Sequence, residues 1–192
     1  MAADPIEVAL AVASVLERCG LRYLVGGSLA SSVSGEPRST LDVDLVVELR
    51  EEHVPPLLTA LGESFYADGE AIRRAIRATS SANLVHLGTA IKVDLFVMGG
   101  SPIDAEQMDR RVRLQVGEGE ERSLWFYTPE DILLQKLRWY RLGNEISDRQ
   151  WRDVLGIALV QGAALDEDYL RRSARKLGVE DLLQRALEMV RR

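Results

Sequence analysis

A chain of 192 residues, 46% hydrophobic and 28% charged, carries enough apolar side chains to bury a core, and no run approaches the ~18 apolar residues of a membrane span. A net charge of −6, with −5 of it in residues 1–100, argues against a general nucleic-acid binder while leaving room for a local basic strip. Cys19 is the single cysteine, which excludes an intrachain disulfide and points to a cytoplasmic home.

In chain order, Asp4-Pro5-Ile6-Glu7 combines an N-cap, a proline at the first helical position and an acid at the third, so a helix starts there. Asp4 and Glu7 also stand where a secretory leader carries basic residues. Ile6, Leu10, Val12, Ala13 and Leu16 form an apolar stripe, and Gly20 ends the helix, with Cys19 in its last turn as a core thiol. A strand over 21–25, a short helix over 28–33, a loop over 35–38 and a strand over 41–49 follow. A helix spans 54–61, and Asp68 caps another through 71–78 whose Arg73, Arg74 and Arg77 are solvated. Residues 84–87 and 90–98 read as a hairpin about Gly88-Thr89, closed by Gly99-Gly100-Ser101-Pro102. Strands over 111–116 and 123–127 flank Gly117-Glu118-Gly119.

From Thr128 the pattern is helical only: 129–142, 148–161, 167–177 and 180–191, with Ser147 and Asp166 as caps and Gly143, Gly162 and Gly178 as stops. The reading is therefore α/β (α+β): a mixed-sheet core over 1–127 and a helical C-terminal segment over 128–192.

The richest stretch is Tyr23 to Val47. Strand side chains alternate, so Asp42 and Asp44 share one face while Val43 and Leu45 take the other. Two carboxylates side by side repel, and a divalent cation between them removes the repulsion. Upstream, Gly26 and Gly27 allow a sharp turn and close approach of a ligand, Ser28 adds a hydroxyl, and the helix opening there aims N–H groups at an anion. Asp-x-Asp alone is common on solvated strand faces, and Gly-Gly-Ser alone is an ordinary turn. Together, thirteen residues apart (Leu29 to Leu41), they suit a metal–triphosphate site.

This pattern resembles the nucleotidyltransferase superfamily of the DNA polymerase β type: apolar-Gly-[Gly/Ser], a spacer, then Asp-apolar-[Asp/Glu]-apolar. The resemblance covers roughly residues 21–97 well and implies a nucleotidyltransferase fold with a third carboxylate on a later strand. Ala90 to Met98, AIKVDLFVM, supplies it as Asp94. The family chemistry implied is metal-dependent transfer of a nucleoside monophosphate from an NTP to a hydroxyl on an RNA 3′ end (tRNA included), a protein or a small molecule such as an aminoglycoside. Asp42, Asp44 and Asp94 hold Mg²⁺ (or Mn²⁺) in that reading, and Asp94 also helps activate the hydroxyl. Gly26, Gly27 and Ser28 contact the phosphates. The run from Thr128 resembles the helical tail of AbiEii-type enzymes, toxin-like or orphan bacterial nucleotidyltransferases, which admits an antitoxin partner. The rival reading is a degenerate member that binds nucleotide or a partner protein without turnover.

Further candidates lie around this motif. Arg38-Ser39-Thr40-Leu41-Asp42 resembles the Arg-x-Thr-x-Asp lead-in of such enzymes, so Arg38 either reaches a phosphate or is a solvated loop arginine. Lys92, at i−2 from Asp94, either contacts phosphate, neutralises the carboxylates or simply pairs with Asp94. On the helix over 129–142, Lys136 has Ile132, Leu133, Trp139 and Tyr140 as its i±3 and i±4 neighbours, so it lies inside an apolar stripe. An ammonium there either finds a partner, in the carboxylate cluster or a triphosphate, or snorkels to water. The AbiEii-type resemblance implies a functional lysine in this helix and an acid in the next, here Asp153, although Arg149 at i−4 offers Asp153 an ordinary surface pair. His53 and His86 lack neighbouring histidine or cysteine for zinc, and Trp125, Trp139 and Trp151 read as core.

Overall fold

Asp4 opens α1 (Pro5–Arg18) by accepting from the Ile6 N–H at 2.9 Å, as its sequence predicts, and Gly20 turns the chain out of the helix with φ +70. The structure is a computed structural model and describes residues 4–37, 40–117 and 122–191. Cys19 sits one residue past α1 as its C-cap and is half-buried rather than a core thiol. The chain then forms β1 (Tyr23–Val25), α2 (Gly27–Ser34), β2 (Val43–Val47), α3 (Val54–Leu61), β3 (Phe65–Ala67), α4 (Gly69–Ala78), β4 (Ser81–His86) and β5 (Lys92–Val97). After these come α5 (Pro102–Arg110), β6 (Val112–Gln115), β7 (Ser123–Phe126), α6 (Pro129–Leu142), α7 (Asp148–Gln161), α8 (Glu167–Leu177) and α9 (Glu180–Val190).

Two of these elements depart from the sequence reading. The Gly99-Gly100-Ser101-Pro102 stretch does not merely close a hairpin; Ser101 and Asp104 form a capping box that starts α5. The short β3 extends the sheet beyond β4, with Phe65 opposite His86. Arg73 and Arg77 of α4 pair with Glu70 and Glu51 at the surface, contacts of small energetic weight.

The chain packs as two compact units: Met1–Leu29 with Ser39–Phe126, and Ala30–Arg38 with Tyr127–Arg192. The first holds a seven-stranded mixed sheet in the order β3-β4-β5-β2-β1-β7-β6. β2 runs parallel to β5 and antiparallel to β1, while β1 runs parallel to β7. One face of this sheet is apolar: Val25, Val43, Leu45, Val93, Leu95 and Phe126 are buried, and α1, α3 and α4 pack in the same unit. Fully burying each such aliphatic side chain contributes about 1.5–3 kcal/mol.

The second unit packs α6 to α9 around Leu133, Leu137, Val154, Leu170 and Leu183. A buried polar network ties α6 to α8: Asp131 accepts from the Tyr169 hydroxyl at 2.5 Å and from the Thr128 hydroxyl at 3.0 Å. Satisfying that carboxylate from both sides is what permits it to be wholly inaccessible to solvent. No helix among the described residues is long and apolar enough to cross a membrane.

Candidate functional site

The β2–β5 register places Asp44 directly opposite Asp94. Their strand neighbours Val43, Leu45, Val93 and Leu95 are buried on the apolar face, so the two carboxylates project together from the other. Asp42 immediately precedes β2 and is exposed. Lys92, two residues before Asp94 on β5, places its ammonium 2.7 Å from Asp94 Oδ2. That hydrogen bond, reinforced by the charges of Asp94, Asp42 and Asp44, raises the Lys92 pKa above the ordinary lysine value. Asp94 Oδ1 has no hydrogen bond among the described residues. No group of three His, Cys, Asp or Glu side chains among them stands close enough together to hold a metal ion.

The glycine turn lies against Asp44. Pairing of β1 with β2 continues one step past Val25, where the Gly26 N–H donates to the Asp44 carbonyl at 2.9 Å. Gly27 then begins α2 at φ +55, a conformation that disfavours any residue with a Cβ. A Cβ built there falls 1.7 Å from Asp44 Oδ2 and 2.8 Å from Asp44 Cβ, so the carboxylate occupies the space a side chain would take. The buried Ser28 follows in the first turn of α2, where backbone N–H groups lie beyond the reach of intrahelical carbonyls. Carboxylate oxygens beside backbone that approaches without a side chain are the donor type that a hard divalent cation such as Mg²⁺ or Mn²⁺ takes.

In the helical unit, Lys136 is buried, and its Nζ lies 2.7 Å from Asp153 Oδ2, with side-chain exposures of 5% and 8%. The snorkelling alternative is thereby excluded. Within its own unit Lys136 pairs with Asp153 of α7, since α6 and α7 pack along the apolar stripe that surrounds the lysine. Ile132, Leu133 and Tyr140 are buried as that stripe requires, whereas Trp139 is half exposed. The Ser31 hydroxyl donates to the same Asp153 oxygen at 3.3 Å. Ser31 was not legible as a site residue, though a signal exists: Ser28, Ser31 and Ser34 recur every third position and all three are buried. A cavity of about 350 Å³ opens here, lined by Ser31, Glu36, Arg149, Arg152 and Asp153. The segment carrying Ser31 is fastened to α7 by Gln161, which donates to the Ser34 carbonyl at 2.6 Å, and by Gly35, where a Cβ would meet the Ile157 backbone nitrogen at 2.8 Å.

Arg38 lies outside the described residues. His53 Nδ1 accepts from the Arg50 N–H, and His86 Nδ1 pairs with the Thr89 hydroxyl, so both act in local turns. Trp151 is buried and stacks near Tyr140, while Trp125 is half-buried beneath the Arg111 guanidinium.

No family model matches the chain, and no curated protein matches its sequence. Among solved structures, an antigenic nucleotidyltransferase-like protein from Paracoccidioides brasiliensis is similar over 98% of this chain and 94% of its own, at 18% identity and a TM-score of 0.56. ANT(2″)-Ia, solved in complex with adenylyl-2″-tobramycin, is similar over 89% of this chain and 97% of its own, at 12% identity and a TM-score of 0.57. JHP933 from Helicobacter pylori is similar over 100% and 95%, at 11% identity and a TM-score of 0.50. The fold is that of the nucleotidyltransferases.

Proposed function

We propose that this chain, which carries the nucleotidyltransferase fold, transfers a nucleoside monophosphate from an NTP to a hydroxyl acceptor. The observation that carries this reading is the close approach of Gly27 to Asp44, with Asp94 in register beside it. A glycine with positive φ whose missing Cβ makes room for a carboxylate brings bare backbone and that carboxylate side by side, as a metal–phosphate site requires. A relic that only binds nucleotide has no use for Asp94 in register with Asp44.

In this reading Gly27 and Ser28 bind the terminal phosphates, through backbone N–H and hydroxyl. Asp42 and Asp44 hold the divalent cation, which when bound supplies positive charge against the phosphate oxygens. The acceptor oxygen attacks the α-phosphorus, the bond to pyrophosphate breaks, and Asp94 takes the hydroxyl proton on the oxygen that Lys92 does not occupy. In the helical unit, the cavity beside the Lys136–Asp153 pair is proposed to admit a polar part of a substrate. ANT(2″)-Ia, with its adenylylated aminoglycoside, supports a small-molecule hydroxyl as one acceptor class. A toxin-like role with an antitoxin partner is carried by the AbiEii-type resemblance of residues 128–192.

The test is incubation with each labelled NTP and Mg²⁺ against tRNA, total cell protein and an aminoglycoside panel. Label is expected in one acceptor class, and none with Asp42→Asn/Asp44→Asn. In the wild type, Mg²⁺ with a non-hydrolysable NTP is expected to raise the melting temperature, because a ligand of the folded state stabilises it by mass action. A full thermal shift surviving in the double variant would overturn the metal assignment.

A further inference from the structure

Asp94 already has a cation. Lys92 leaves β5 from the same face two residues earlier, and its ammonium sits 2.7 Å from Asp94 Oδ2, a distance for a charge-assisted hydrogen bond. Asp94 in turn faces Asp44 across the parallel β2–β5 pair. We propose that the Lys92 ammonium stands in for the second cation of the carboxylate cluster, so that this chain binds one divalent ion, through Asp42 and Asp44, rather than two. The proposal deepens the nucleotidyl-transfer reading and rests on it.

Three features carry the argument. The first is geometric: Asp94 is engaged by Lys92, and no three carboxylates among the described residues converge on one point. The second is electrostatic. The Lys92 ammonium at 2.7 Å offsets the charge of Asp94 without any metal ion. A second divalent ion would meet the Lys92 charge at short range and be repelled, whereas a lone carboxylate trio would attract it. The third is placement: the Lys92 side chain is 45% exposed and Asp94 16% exposed, so the ammonium keeps much of its hydration while the carboxylate is held in place. Lys92 is thus a positioning residue. It fixes Asp94 through Oδ2 and leaves the other oxygen to accept the acceptor's proton.

The experiment is calorimetric titration of Mn²⁺ into the full chain without nucleotide, with thermal melts to establish that each variant is folded. The wild type is expected to take up about one equivalent, and Asp44→Asn none. Lys92→Met is expected to take up a second equivalent, which Lys92→Arg does not show and which Lys92→Met/Asp94→Asn loses. Two equivalents in the wild type, or a single equivalent in folded Lys92→Met, would overturn the proposal and leave the metal-dependent reading standing. No uptake by the wild type or by Lys92→Met would overturn both. The wild-type stoichiometry decides the matter even where a variant fails to fold.

Discussion

Gly27→Ala is expected to remove Mg²⁺-dependent nucleotide binding while the chain still folds. The new Cβ would fall 1.7 Å from Asp44 Oδ2 and 2.5 Å from its Cγ, so the carboxylate must swing out of the position it holds beside the turn. The positive φ adds a backbone cost of roughly 1–2 kcal/mol for any residue with a Cβ. The backbone cost lowers the melting temperature modestly; the displaced carboxylate is what abolishes the metal-linked thermal shift. Calorimetry with a non-hydrolysable NTP and Mg²⁺ checks this, and wild-type affinity in a folded Gly27→Ala chain would put the triphosphate elsewhere. Gly27→Val adds β-branching and is expected to be worse in both respects.

The largest stability loss is expected from Lys136→Met. Removing the ammonium takes from Asp153, itself nearly inaccessible, the charge 2.7 Å from its Oδ2, and breaking a buried ion pair from one side costs about 3 kcal/mol or more. The Ser31 hydroxyl remains as a donor but cannot neutralise the charge. Lys136→Met/Asp153→Leu removes both charges and is expected to recover most of the melting temperature. Transfer activity separates structure from function: if the recovered double variant has lost transfer, the pair acts in the reaction. Wild-type turnover in that double variant would make the pair a scaffold and nothing more.

Much of the fold follows from local signals. Asp4, Asp68, Thr128, Ser147 and Asp166 were legible as caps because each side chain accepts from an N–H two or three residues on, a contact that depends on nothing distant. β3 was missed because three residues, Phe65 to Ala67, are too few to show alternation, and their pairing with β4 comes from residues about twenty positions away. α5 was missed although its capping box is in the sequence, because Gly99-Gly100 reads as the end of an element and the buried face of α5 includes Gln107. At the site, the period of two places Asp44 on the face opposite Val43 and Leu45, while Asp42 falls one residue before β2; the opposition of Asp44 and Asp94 depends on register between strands fifty residues apart. The apolar stripe around Lys136 was legible from its own helix, but its burial and its pairing with Asp153 were not, since nothing in α6 alone states which turn of α7 lies against it.

α2 belongs to both units: Gly27 to Leu29 count with the sheet, and Ala30 to Ser34 with the helices. Modules that recombine in evolution are usually joined by a linker at which one can be exchanged for another. Here no single peptide bond divides the chain so cleanly. A fragment ending at Phe126 carries off Ala30, Ser31 and Ser34, all buried in the whole protein, and the helices left behind lose the donor to Asp153 and the carbonyl that receives Gln161. Grafting a foreign helical tail onto this sheet would therefore require a rewritten α2 as well. A replacement tail would have to accept the α2 serines, so the glycine turn and the tail are coupled through one short helix.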